Sequence, residues 1–139
     1  FDSVHFNPPQ PEKFVFVHLG NKQDSRTEVE TFLQSGDIVK KFANEIEIIS
    51  EISEALLFCD DFNDFMQLLD EHEEVMQYVL QEEKVKTNMF SDFNGVVKSL
   101  GAWGGDFVLA ASAMDSAAIT AYFKSKGLNT IIPYEQMVL

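Results

Sequence analysis

The chain has one cysteine, Cys59, one tryptophan, three histidines, and 10 lysines and arginines against 23 aspartates and glutamates. Each scarcity removes a possibility. A lone cysteine closes no internal disulfide, which favours a reducing compartment and makes the cytoplasm the expected location. No apolar run approaches the roughly 20 residues of a membrane-spanning helix, and no basic stretch leads into an apolar one near the start. Because the first residue is Phe1 and not Met, the chain is expected to be cut from a longer polypeptide. A net charge of −13, with no basic stripe interleaved with aromatics, argues against a nucleic-acid partner. His5, His18 and His72 lack zinc-type spacing to one another or to Cys59, so no metal site is expected from this chain. Nor does a Ser-His-Asp or Cys-His signature point to a hydrolase.

What is present suffices for one folded domain: 139 residues, 45% hydrophobic and 12% aromatic. The charge is unevenly spread. Residues 28 to 83 hold sixteen acids against two lysines, and the remainder holds seven acids and eight basic residues. Residues 28 to 90 read as helical. Ile38, Phe42, Ile46, Ile49, Ile52, Leu56 and Cys59 recur at steps of three and four, which predicts one face of a long amphipathic helix. Phe62, Phe65, Leu69, Val75, Met76, Val79 and Leu80 predict a second, with Asp60 or Asp61 as its cap. The sixteen acids are expected on the opposite, solvated faces.

The flanking segments read differently. Residues 4 to 13, "VHFNPPQPEK", hold three of the four prolines and read as an extended connector. "FVFVHLG", 14 to 20, predicts a strand, and "NKQDSR" a polar turn into a helix. "GVVKSLG" and "DFVLAAS" predict two strands joined as a hairpin. A helix is expected from about Met114 to Lys126, with Ser112 or Asp115 at its start and Gly127 as its stop. "NTIIPYEQMVL" predicts a final strand. The order of elements predicts an α+β fold of the split β-α-β-β-α-β, ferredoxin-like kind, with an enlarged helical insert in the first crossover.

Two stretches carry candidate chemistry. Three of the seven glycines, Gly101, Gly104 and Gly105, cluster in "VKSLGAWGGD" between two strand-like runs. Successive backbone amides in such a loop make a concave seat for phosphate oxygens, and a tight hairpin without a ligand is the plainer alternative. Lys98 either adds a full charge to that seat or is a solvated edge residue. Asp106 either orients loop amides or caps the hairpin. The second stretch, Lys22, Gln23, Asp24, Ser25 and Arg26, sets two cations and a hydroxyl after a strand. It suits an anionic substrate, which Arg26 can grip with two parallel hydrogen bonds, or else it is a helix start capped by Ser25.

Lys98, Gly101, Ala102, Gly104, Gly105 and Asp106 in "KSLGAWGGD" resemble the third, C-terminal motif of the GHMP kinases, named for galactokinase, homoserine kinase, mevalonate kinase and phosphomevalonate kinase. Trp103 stands where that motif usually has Gly, and Leu100 where it has Ser or Thr. "FVFVHLGNKQDSR", "KSLGAWGGDFVLA" and "TIIPYEQMVL" together resemble the C-terminal half of the GYDIA family of GHMP kinases, across nearly the whole chain and in the expected order. The resemblance implies the C-terminal domain of an ATP- and Mg2+-dependent small-molecule kinase. Both cofactors would be held mainly by an N-terminal half, so this domain alone is expected to be inactive and to contribute no catalytic residue. It further implies a phosphate loop from Lys98 and residues Gly101, Ala102, Trp103, Gly104, Gly105 and Asp106, and a small anionic substrate, mevalonate or phosphomevalonate, near Lys22, Gln23, Ser25 and Arg26. A mevalonate diphosphate decarboxylase, a noncatalytic binding module on the same scaffold, and a homodimer all stay open.

Overall fold

The computed structural model describes residues 6–20, 38–100 and 107–137. Runs rich in β-branched and aromatic residues form four strands: β1, Phe14–His18; β2, Val96–Ser99; β3, Phe107–Ala111; and β4, Ile131–Pro133. They form one sheet in the order β2-β3-β1-β4, and every neighbouring pair is antiparallel. The protein is therefore α+β with a four-stranded antiparallel sheet, compatible with a ferredoxin-like arrangement. The helices are α1, Ile38–Lys41; α2, Ala43–Phe58; α3, Phe62–Leu80; α4, Val85–Met89; α5, Ser116–Ser125; and α6, Tyr134–Met137.

Strand alternation divides the core in two. Val15, Val17, Val97, Val108 and Ala110 point to one face, where Ile119 and Phe123 of α5 join Val85, Phe90 and Phe93 from the segment beginning at α4. Phe14, Val96 and Ala111 point to the other face, where Phe62, Phe65 and Leu69 of α3 cover them. Antiparallel sheets commonly leave one face to water. Here the long helical insert closes the second face. Phe14 is its centre, edge-on to Phe62 and Phe65 with ring centroids 5.7 and 5.5 Å away.

Helix ends follow the local chemistry. The Asp61 carboxylate accepts from the Asp64 amide at the start of α3, and that of Asp115 from the Ala118 amide at the start of α5. Ser112 is not a cap: its hydroxyl donates to the Asn94 carbonyl and accepts from the Met114 amide, tying the end of β3 to the chain entering β2. Gly127, at φ 82°, stops α5.

Four expectations change. The long first helix breaks at Phe42 into α1 and α2, and of its apolar face within α2 only Ile52 is buried, with Ile46 43% exposed; the side chain of Ile38 lies outside the described residues. The final segment is strand only over Ile131–Pro133, after which α6 begins. Pro133 has no amide to extend the ladder. The proline-rich connector is tied down from Phe6 onward: Phe6 stacks on Phe65 at 6.0 Å, Pro11–Lys13 forms a 3-10 turn, and the Lys13 ammonium donates to the Met114 carbonyl at 2.8 Å. Fourth, the acids of the helical segment do not all face water, because Glu73 is 0% exposed. No described helix is long and apolar enough to cross a membrane.

Candidate functional site

Glu73 is buried because of its spacing. Phe62, Phe65 and Leu69 set the buried stripe of α3, and the next position on that stripe, four residues after Leu69, is Glu73. The stripe passes over the end of β2. On that strand Val96 faces α3, so Lys98, two residues on, faces it too. The ammonium of Lys98 lies 2.8 Å from Glu73 Oε1, and its side chain is 16% exposed. It is neither a solvated edge residue nor an unpaired cation.

The carboxylate is further enclosed by the next residue of the strand. The Ser99 amide donates to Glu73 Oε1 and the Ser99 hydroxyl to Oε2, each at 3.2 Å. The Lys98 ammonium also donates to the Ser99 carbonyl at 3.0 Å. Three donors thus converge on one buried carboxylate, which is how such a charge is tolerated away from water. The chemical result is a fixed strand end: Glu73 holds main chain and side chains of β2 at its last two residues. Among the described residues, two of the three ammonium hydrogens are used in this way.

His72 adjoins this group. Its Nδ1 is buried without a hydrogen-bond partner among the described residues. Burial, and then the nearby positive charge of Lys98, push the imidazole down from 6.5 to about 4, so the ring is neutral at pH 7.

Of the predicted phosphate loop, Lys98 is described, whereas Gly101, Ala102, Trp103, Gly104, Gly105 and Asp106 lie outside the described residues, as do Lys22, Gln23, Asp24, Ser25 and Arg26. Their anchoring points are described. Ser99 at the end of β2 pairs with Val108, just inside β3, so the glycine-rich segment connects two adjacent antiparallel strands at one end of the sheet. His18, the last residue of β1, pairs with Phe107, the first of β3, with ring centroids 4.9 Å apart. The chain leaving β1 toward Lys22 therefore departs from the same sheet end, on the strand next to the one that the glycine segment enters. Gly20, at φ 79°, turns that departing chain, and its amide donates to His18 Nδ1 at 3.2 Å.

Glu73, Ser99 and His72 were missed as site residues. The signal for Glu73 was the unbroken stripe of Phe62, Phe65 and Leu69, which predicts burial for whatever stands four residues later. Among the described residues, no group of three or more His, Cys, Asp and Glu is placed to hold a metal ion. No protein-family model, curated protein or solved structure matches this chain.

Proposed function

We propose that this chain is the C-terminal domain of a GHMP-type kinase that transfers a phosphoryl group from ATP to mevalonate or phosphomevalonate. The observation that carries the reading is the common anchoring of the two candidate stretches: the glycine segment and the Lys22–Arg26 patch are rooted on adjacent strands at one sheet end. A phosphate seat and an acceptor seat must lie side by side for in-line transfer. In this reading the amides of Gly101, Ala102, Trp103, Gly104 and Gly105 face the transferred phosphoryl oxygens. Lys98, fixed by Glu73, offers its remaining N–H to the same charge. Lys22, Gln23, Ser25 and Arg26 hold the anionic end of the acceptor.

The described donors fit a phosphate oxygen through Lys98. Following the resemblance to GHMP kinases, the magnesium ion and most of the nucleotide are assigned to an N-terminal half. ATP supplies the phosphoryl group. This chain positions the acceptor and neutralises charge that spreads over the equatorial oxygens. The test is ADP formation by the complete polypeptide with ATP and Mg2+. Turnover that depends on added mevalonate or phosphomevalonate supports the proposal, and its absence with both acceptors overturns it.

A further inference from the structure

Helices α2 and α3 are joined by only three residues, 59 to 61, and lie side by side. Between them runs an open groove of about 670 Å³. Its floor is apolar, made by Ile48, Ile52 and Ala55 of α2 and Leu68 and Val75 of α3. Four acids rim it: Glu51, Asp70, Glu71 and Glu74. The apolar surface does not stop at the groove, since Ile46 on α2 is 43% exposed.

From this juxtaposition we infer that the α2–α3 groove is a docking site for a basic amphipathic helix of a partner protein. The floor matches helix-in-groove recognition, in which residues at i, i+3 or i+4, and i+7 are the anchors. The rim sets the sign of the partner. Among the described residues, thirteen acids against two lysines over residues 38 to 83 give this layer a field that attracts cationic segments and repels acidic ones. The chain itself shows how the rim receives an ammonium: Lys84 reaches back to Glu74 Oε1 at 2.6 Å and Asp70 Oδ1 at 3.0 Å. Among the described residues, Glu51 and Glu71 have no cationic partner, although Glu71 Oε1 accepts from the Gln67 side-chain Nε2 at 3.2 Å. These two carboxylates stand on opposite helices, one at each bank of the groove, and are the seats for the flanking Lys or Arg side chains of the incoming helix. Residues 21 to 37 of this chain fit the role poorly, since they carry four acids and two basic residues.

The probe is a fluorescent synthetic helix of roughly 14 residues, with Leu on one face and Lys on the other, titrated into this chain; a second probe carries Glu in place of Lys. We expect saturable binding of the Lys probe that weakens with salt, and none of the Glu probe. Ile48→Ser should weaken the affinity about tenfold, and the double reversal Glu51→Lys with Glu71→Lys at least as much. The control, Glu12→Lys with Glu135→Lys, has the same net charge away from the groove, and should change the affinity by less than about threefold. Circular dichroism checks that each variant is folded. Equal losses for the two double variants would overturn the inference by reducing binding to bulk charge. An unchanged affinity in Ile48→Ser, or no saturable binding of the Lys probe, overturns it as well. None of these outcomes depends on whether the complete polypeptide is a kinase.

Discussion

Glu73 and Lys98 form an ion pair across two elements, 2.8 Å apart and 25 residues distant in sequence, in which the carboxylate is fully buried and the ammonium nearly so. Removing one partner strands a charge. Glu73→Leu should therefore cost about 3 kcal/mol or more in urea unfolding, the range for breaking a buried pair. Glu73→Gln keeps an acceptor for Ser99 and should cost less. The joint variant Glu73→Leu with Lys98→Met removes both charges and should recover most of the loss. If Glu73→Leu alone were as stable as the parent chain, the pair would not hold the end of β2.

The neutral His72 ring makes stability depend on acid. With its value lowered to about 4 in the fold and near 6.5 when unfolded, the unfolded chain binds the extra proton between those values. The contribution is complete above about pH 6.5 and is lost as the pH falls toward 4. Because the ring is only partly buried, water screens much of it, leaving on the order of 1 kcal/mol. His72→Gln has no such proton, so its melting temperature should fall less between pH 7 and pH 4.5 than that of the parent chain. Parallel pH profiles would contradict the assignment.

Gly95 precedes β2 where the main chain of β3 comes close. A Cβ placed there would collide with the Ala111 carbonyl oxygen and stand 2.9 Å from the Phe93 ring. Since the first of these is backbone, β2 must move away from β3. Gly95→Ala should cost about 3 kcal/mol or more, and calorimetry should show a clearly lowered melting temperature. A change of a degree or two would mean that the entry to β2 is free to shift.

On the proposed kinase reading, Arg26 tests the acceptor patch in the complete polypeptide. Loss of a charge-assisted contact costs about 1.5–3 kcal/mol, so Arg26→Ala should raise KM for the acceptor at least tenfold and leave KM for ATP nearly unchanged. Equal changes in both constants would assign Arg26 to folding or domain closure.

The strands were legible because Phe14–Val17, Val96–Val97 and Phe107–Ala111 combine β propensity with flanking turn residues, and the observed antiparallel sheet is compatible with the expected order of elements. The break at Phe42 was not, since no Gly or Pro marks it and the apolar steps continue across it. Glu73 was hidden by a sound generalisation. Acids in an acidic helix are nearly always solvated, and the partner that reverses this for Glu73 lies on a strand that only the fold brings near. The reach of the last strand was overread because Ile131 and Ile132 carry the β signal, whereas Tyr134–Met137 carries good helix formers after a proline. Residues 22–26 and 101–106, which bear most of the candidate site, were readable only as motif and anchorage.

On the proposed kinase reading the glycine segment faces the transferred phosphoryl group, and Gly105→Ala in the complete polypeptide probes that contact. A Cβ at a backbone amide that approaches phosphate acts on the transition state more than on the fold. The measurement is kcat per folded molecule, with the melting temperature taken on the same preparation. The expected kcat is lower by roughly tenfold or more, about 1.4 kcal/mol, at an almost unchanged melting temperature. A stable Gly105→Ala protein with normal kcat would contradict that reading.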